Sequence, residues 1–334
     1  GLITDIDITN NLSVLAVVGD NMAGQHGIAG KFFSTLGKSC INVRAIAQGS
    51  SERNISAVID TANIDQALND LHAVFFGPAC SLSIGLIGPG LVGNELLNQI
   101  NDNLVARQEI FGSDICVKGI ASSKVMLLSD DNLNTTDWVD CQKDKPLDLD
   151  IEQFSMHIKN SSINGHALII DCTSSDLIAA KYKEWLEQEI NVITPNKKAF
   201  SSDQTYYQAI KTQIQEGEAL CLYETTVAAG LPVIGTIQNL IATGDVIHSI
   251  EGIFSGTLAY LFNVYDGTKP FSQIVIEAKE SGYTEPDPRD DLGGMDVARK
   301  LTILSREIGR KIEINNLSIE SLFPDSLAEI GVDE

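Results

Sequence analysis

Apolar and polar positions alternate from Leu12 to Val18, take a helical period from Ile28 to Leu36, and return to strand-like runs over Ile41 to Ala47 and Asn54 to Ile59. An amphipathic stretch, Ile64 to Phe76, closes the series. This β-α-β-β-α order predicts a small α+β sandwich. A break at Gly77-Pro78 separates it from the rest of the chain. Ser81 to Ile87 then reads as a buried strand, Leu91 to Ile100 as a helix, and Ile115 to Ala121 as the next strand. Two further strands run into "LIIDCTSS" and "VITPNKKAF", the second stopped by Pro195. The alternation predicts an α/β fold with a doubly wound parallel sheet. A last helix is expected from near Leu292, on Met295, Val297, Leu301, Ile303, Leu304 and Ile308.

Chemistry enters first at Gly88, Gly90 and Gly93, which complete G-x-G-x-x-G between a predicted strand and a predicted helix. The spacing lets backbone approach a pyrophosphate at a helix N-terminus, where free N–H groups and the dipole favour anions. Pro89 removes one donor, so the N–H groups of Leu91 and Val92 are expected to carry more of that contact. The following strand ends in Ser122, Ser123 and Lys124, where an NAD site places an acid for the ribose hydroxyls. A lysine there favours NADP, with NAD possible; Lys124 equally reads as a solvated turn residue. Thr173 and Ser174 close another strand end, and Asn196 and Lys197 a third, all toward the crevice where ligands collect.

The densest segment runs from Gly282 to Lys300. Pro286 and Pro288 keep the backbone extended until Asp290 or Asp291 caps the helix. Asp296 and Lys300 then stand at i and i+4 on one face. A partly desolvated lysine beside carboxylates can act as a general acid; the same pair also reads as an exposed ion pair contributing about 0.3–0.5 kcal/mol. "YETTVAAGLP" opens a strand into small residues whose carbonyls could hold a hard cation, or forms a tight turn with no ion. Gly256 and Thr257 fall at a helix start suited to a substrate carboxylate.

Composition narrows the class. A chain of 334 residues with 43% apolar content can bury two or three cores. The net charge of −22 opposes nucleic-acid binding, which needs Lys and Arg against phosphates. Apolar runs fall well short of the ~20 residues a bilayer helix needs, and residues 1–20 lack the pattern of a secretory leader. Neither a membrane nor a nucleic-acid partner is therefore expected. The six cysteines show no C-x-x-C spacing and read as reduced packing residues in a cytoplasmic protein, and the five histidines lack zinc-ligand spacing.

The order E-P-D-P-R-D-D-L followed by D-V-A-R-K resembles the substrate-binding segment of homoserine dehydrogenases. "IGLIGPGLVGNELL", "DCTSS", "VITPNKKAF", "YETTVAAGLPVIGTIQNL" and "GIFSGTLAYLFN" appear in that family's order, and the run from "NLSVLAVVGD" to "NISAVI" resembles the regulatory ACT module of bifunctional aspartokinase/homoserine dehydrogenases. The resemblance implies an ACT-like module at 1–78, a Rossmann-like domain at 79–225 and part of an α+β substrate and dimerisation domain at 226–334. It also implies NADP-dependent interconversion of aspartate 4-semialdehyde and homoserine, in threonine and methionine biosynthesis.

Carried over residue by residue, Lys300 donates a proton, with Asp296 and Lys197 in the catalytic set, and Glu285, Asp291, Asp296, Thr257 and Gly256 meet substrate. Gly88, Gly90, Leu91, Val92, Gly93, Ser122, Lys124, Thr173, Ser174, Lys197 and Gly282 meet the cofactor. Glu224, Val227, Ala229 and Leu231 hold a monovalent cation, commonly sodium, chiefly through backbone oxygens. Asn21, Met22, Gly27, Ile28 and Gln48 meet a threonine effector, or the module is only an oligomerisation surface. A homo-oligomer, dimer or tetramer, is implied as well.

Homoserine dehydrogenases continue past this loop to a late glycine-rich segment, and a bifunctional enzyme carries an aspartokinase half upstream, so the chain is expected to be a partial piece. A regulatory fragment that binds threonine without turnover is the alternative. Aspartate semialdehyde dehydrogenase needs a cysteine nucleophile and a histidine base; Cys172 and Cys221 lie in apolar strands with no histidine in a convincing following loop.

Overall fold

The computed structural model describes residues 9–19, 22, 24, 26–49, 53–76, 80–102, 114–141, 146–162, 166–284 and 287–327; Asn21, Glu285 and the Gly77-Pro78 break lie outside them. The N-terminal module runs β1 (Leu12–Val18), α1 (Ile28–Lys38), β2 (Val43–Gln48), β3 (Asn54–Asp60) and α2 (Ile64–Phe76). Its antiparallel sheet has the order β1-β3-β2, with Leu15 opposite Ala57. The period-2 pattern puts Ile55, Ala57 and Ile59 on one face. There they meet Phe32 and Leu36 of α1 and Leu71 of α2. Each such large apolar side chain stabilises the module by about 1.5–3 kcal/mol on burial.

The second sheet is built from β4 (Cys80–Ile87), α3 (Leu91–Asp102), β5 (Asp114–Ala121), β6 (Val125–Leu128), α4 (Thr135–Cys141), β7 (Leu147–Asp148), α5 (Ile151–Asn160), β8 (His166–Asp171), α6 (Asp176–Ala179), α7 (Tyr182–Glu187), β9 (Ile190–Ile193), α8 (Gln204–Glu216) and β10 (Cys221–Leu222). Strand order is β10-β9-β8-β4-β5-β6-β7. Pairing is parallel from β10 to β5 and antiparallel at β6 and β7. Both faces of the central strands are covered, as parallel sheets require. Ile169 faces a core with Phe154, Tyr182 and Trp185, while Leu168 and Ile170 face Leu97 and Trp138 on the other side. Helix α5 sits so close that a Cβ on Gly85 would lie 2.7 Å from Phe154 and Ile158. Chain order turns back at β4, which has β5 on one side and β8 on the other. Ligands bind at such a switch point, outside the carboxyl ends of the strands.

The remaining described residues form α9 (Val233–Ala242), α10 (Gly256–Val264), α11 (Phe271–Glu280), α12 (Pro288–Leu292) and α13 (Met295–Glu307). Regular structure between 233 and 327 is helical among the described residues, so this region contributes no strand to the expected α+β arrangement. The expected single helix from Leu292 is instead two helices. Asp287, not Asp290 or Asp291, caps the first by accepting from the Arg289 N–H, with Pro288 at the first helical position, where its missing donor costs nothing. Gly294 then breaks the run at φ 74°, a conformation that favours glycine. Of the apolar positions read from the sequence, Ile303 and Leu304 are the fully buried ones, packed in the core of the second sheet.

Candidate functional site

The loop after β4 is shaped by contacts that exclude side chains. Gly88 has φ 90°, donates its N–H to Ala121 O at 2.8 Å, and a Cβ on it would lie 2.7 Å from Thr173 Cγ2. A Cβ on Gly93 would stand 2.2 Å from Gly88 O. Gly90 differs: nothing lies within 4 Å of its missing Cβ. Two glycines thus serve the loop's own packing, and the third leaves open space above the N-terminus of α3. Leu91 and Val92, which begin that helix, are 92% and 58% exposed. They form the lip of a groove of about 710 Å³ that continues over Ile170, Cys172, Ile193, Pro195 and Thr225 at the ends of β8, β9 and β10. Open backbone above helix N–H groups and an apolar trough beside them fit a dinucleotide, with pyrophosphate on the first and a planar ring in the second.

At the end of β5, Ser122 spends its hydroxyl on its own turn, accepting from Val125 N–H at 3.1 Å. Lys124 is exposed. Thr173 donates its N–H to Asp171 Oδ1 at 2.7 Å and accepts from Ser175 N–H at 3.1 Å, so its loop is tied back to the strand end, while Ser174 is exposed. Burial, and next the Asp171 charge, push the Cys172 thiol up to about 11, and burial takes Cys221 to about 12. Both are poor nucleophiles at neutral pH.

Two of the sequence-predicted residues converge on the carboxylate of a third. Asp296 Oδ2 meets Lys300 Nζ at 2.6 Å, and Oδ1 meets Lys197 Nζ at 3.2 Å. Lys300 also donates to Phe254 O at 2.7 Å. The lysines come from different parts of the fold: Lys300 from α13, Lys197 from the loop after β9. Burial opposes the Asp296 charge, but the Lys300 hydrogen bond and the Lys197 charge outweigh it and hold the carboxyl below its ordinary value. A half-buried carboxylate shared by two ammonium groups aligns both and keeps one near any polar atom that displaces a partner.

Helix α13 is fastened to the sheet along its length. Arg299 donates to Ser201 Oγ at 3.2 Å, and the fully buried Arg306 side chain donates to Phe200 O at 2.9 Å and Ser202 O at 2.8 Å. Sequence reading missed these arginines and Phe254, because backbone carbonyls and a serine hydroxyl far along the chain leave no residue-type signal.

The other predicted residues sit at helix starts, caps and turns or are buried. Gly256 begins α10 under the Ser255 cap, and Thr257 donates its hydroxyl to Tyr283 O at 2.8 Å, beside Gly282 at φ 75°. Asp291 is buried. The Glu224 carboxylate caps α9, accepting from Ile234 N–H at 2.7 Å and Gly235 N–H at 2.8 Å. Leu231 O accepts from Val233 N–H at 2.9 Å, while Val227 and Ala229 bracket a strained turn, with Ala228 at φ 61° and Ala229 at φ 53°. Left-handed backbone at non-glycine residues costs about 1–2 kcal/mol each. In the N-terminal module, Met22 is half-buried, Gly27 caps α1 at φ 90°, Ile28 begins that helix and Gln48 ends β2.

A separate polar cavity of about 410 Å³ borders Glu307. That carboxylate is already filled by Tyr223 at 2.7 Å, Gln238 at 2.8 Å and Lys211 at 3.5 Å, and it ties α8, α9 and α13 together.

The switch-point crevice, the glycine loop and the apolar trough make this a dinucleotide-binding protein of the Rossmann class. Family models for the homoserine dehydrogenase NAD binding domain match residues 88–224, for homoserine dehydrogenase 232–330, and for the ACT domain 15–75. A bifunctional aspartokinase/homoserine dehydrogenase of Zea mays is 43% identical over 98% of the chain and 36% of the relative. Homoserine dehydrogenase of Schizosaccharomyces pombe is 40% identical over 74% of the chain and 67% of the relative. The chain belongs to the homoserine dehydrogenase family, and it spans 36% of the length of the maize protein. A solved hyperthermophilic archaeal homoserine dehydrogenase in complex with NADPH shares the fold at 21% identity and TM-score 0.54, over 67% of this chain and 69% of that one. Among the described residues, no helix is long and apolar enough to cross a membrane.

Proposed function

We propose that the chain carries an NADP(H)-dependent homoserine dehydrogenase, interconverting L-aspartate 4-semialdehyde and L-homoserine within a bifunctional aspartokinase/homoserine dehydrogenase. The observation that carries it is the Asp296 carboxylate shared by Lys300 at 2.6 Å and Lys197 at 3.2 Å. The dinucleotide, when bound, supplies or takes the hydride. Lys300 gives its proton to the oxygen that becomes the homoserine hydroxyl and regains one from solvent. Asp296 keeps Lys300 aligned and charged, and Lys197 completes the pair on the cofactor side. Thr257, Gly256, Asp291 and Glu285 hold the amino-acid end of the substrate, and Gly282 approaches the cofactor.

Gly88, Gly90 and Gly93 with the N–H groups of Leu91 and Val92 hold the pyrophosphate. Ser122 and Lys124 hold the ribose phosphate, and Thr173 and Ser174 the nicotinamide half. The bound NADPH of the archaeal homologue and the lysine at 124 favour NADP over NAD. The turn carrying Val227, Ala229 and Leu231, with Glu224 behind it, is the seat for a sodium-like ion, and the strain at Ala228 and Ala229 is what supports it. The domain limits are 1–78, 79–225 and 226–334, with homo-oligomers forming through the first and last. The ACT match supports threonine as an effector at Met22, Gly27, Ile28, Gln48 and Asn21. It also supports a second reading, a regulatory piece that binds threonine without turnover.

The test is oxidation of NADPH and of NADH by this chain with aspartate semialdehyde. Substrate-dependent oxidation that is faster with NADPH is the expected result. Threonine binding with no oxidation of either cofactor favours the regulatory piece.

A further inference from the structure

Asp171 is fully buried at the end of β8, a carboxylate inside an otherwise apolar strand. Each hydrogen bond to its side chain comes from a donor. Oδ1 accepts from Thr173 N–H at 2.7 Å; Oδ2 accepts from Tyr182 OH at 2.5 Å and Asn196 Nδ2 at 3.0 Å. Asn196 Nδ2 also donates to Ser175 O at 3.1 Å, and the Asn196 N–H donates to Thr194 Oγ1 at 2.8 Å. Thr194 Oγ1 in turn donates to Asp171 O at 2.9 Å. The network is closed: one carboxylate ties the loop after β8 to the loop after β9. The first loop carries Thr173, which abuts Gly88; the second carries Lys197, held on Asp296. Burial, and then the Asp171 charge, hold the Tyr182 phenol protonated, so it remains a donor.

We propose that Asp171 is a positioning residue, setting the separation of the Thr173 and Lys197 loops and thereby the width of the crevice between the glycine loop and the catalytic lysines. Its consequence for cofactor binding rests on the dinucleotide reading of that crevice. Removing the carboxylate takes away the shared acceptor of three donors in a buried site, leaving Tyr182 OH only Thr194 Oγ1 at 2.8 Å and Asn196 Nδ2 only Ser175 O, and the two loops lose their common anchor.

The test compares amide hydrogen exchange in the cofactor-free full chain, wild type against Asp171→Ala, with Ile210→Val as a core control of modest instability. The amides read are Ser175, Asn196 and Lys198, because none of them bonds an Asp171 oxygen. All three should exchange at least tenfold faster in Asp171→Ala, while Leu168 to Ile170 stay protected. NADPH affinity, followed by fluorescence, should weaken at least tenfold. Unchanged rates at the three amides, or a uniform loss like that of the control, overturn the positioning role, as does faster exchange with unaltered NADPH affinity. If the alanine variant does not fold, Asp171→Asn is read at the same three amides, since whichever way its amide turns, the NH2 group faces the Thr173 donor or the Asn196 donor; faster exchange there supports the positioning role and unchanged rates overturn it. A wild-type chain that binds no NADPH rejects the dinucleotide reading, and the exchange rates then decide the positioning alone.

Discussion

The sheet that carries the glycine loop and the helices from 233 to 327 solve different problems. In the sheet, shape is set by what cannot be added: a Cβ on Gly85, Gly88 or Gly93 would collide within 2.7 Å. In the helical region large apolar groups face outward, with Val246 73%, Ile253 80% and Phe262 54% exposed. Yet the helix bearing Asp296 and Lys300 belongs mechanically to the sheet, through Arg299, Arg306 and Lys197. The lesson is that Asp296, Lys300 and Lys197, the side chains proposed to handle the proton, travel with the dinucleotide crevice, while Gly256 and Thr257 sit on the more open part.

The sharpest way to break the comparison is at the glycines. Gly93→Ala must move Gly88 O, so NADPH affinity should fall at least a hundredfold and stability by about 1–3 kcal/mol, read by titration and urea melts. Gly90→Ala has room and should weaken NADPH without lowering stability. Equal stability losses would show that the loop is not packed as described.

Next comes the clamp. Arg306→Met keeps much of the volume but strands the carbonyls of Phe200, Ser202 and Ile312. Stability should drop by about 3 kcal/mol, and turnover should fall more than NADPH affinity, because α13 loosens from the sheet. Loss of affinity alone would place the clamp's effect on the crevice instead.

How far the sequence disclosed these parts depends on the range of each signal. Period, glycine spacing and proline stops are local, so the sandwich order, the strand before Gly88 and the helix from Leu91 were legible. The break at Gly294 was not, since the Asp290-Asp291 pair offered a plausible cap and masked the Asp287 and Pro288 start. The site's lysines were legible by resemblance, whereas Lys300's second partner, Phe254 O, lies 46 residues back and is a backbone atom. Asp171 could have been found: an acid ending an apolar run demands partners.

A smaller effect is expected at Lys124. Lys124→Ala should cut the preference for NADPH over NADH about tenfold, the scale of one charge-assisted phosphate contact; an unchanged ratio of kcat/KM values would assign Lys124 to the turn alone. The smallest is a pH effect at Asp296. Its folded pKa lies below the unfolded value, so its stabilisation is complete above about pH 4, the ordinary carboxylate range, and is lost as pH falls through the folded value. Acid melts of Asp296→Asn should therefore lack a small component of destabilisation below pH 4 that wild type shows.

The most direct test of the central claim, that a preformed crevice holds the cofactor while Lys300, on a helix fastened to the same sheet, supplies the proton, is Lys300→Ala measured for both NADPH affinity and semialdehyde turnover. The expected result is affinity within about threefold of wild type and turnover lowered about 10²–10⁴-fold. An unchanged turnover, or affinity and turnover falling together, would contradict it.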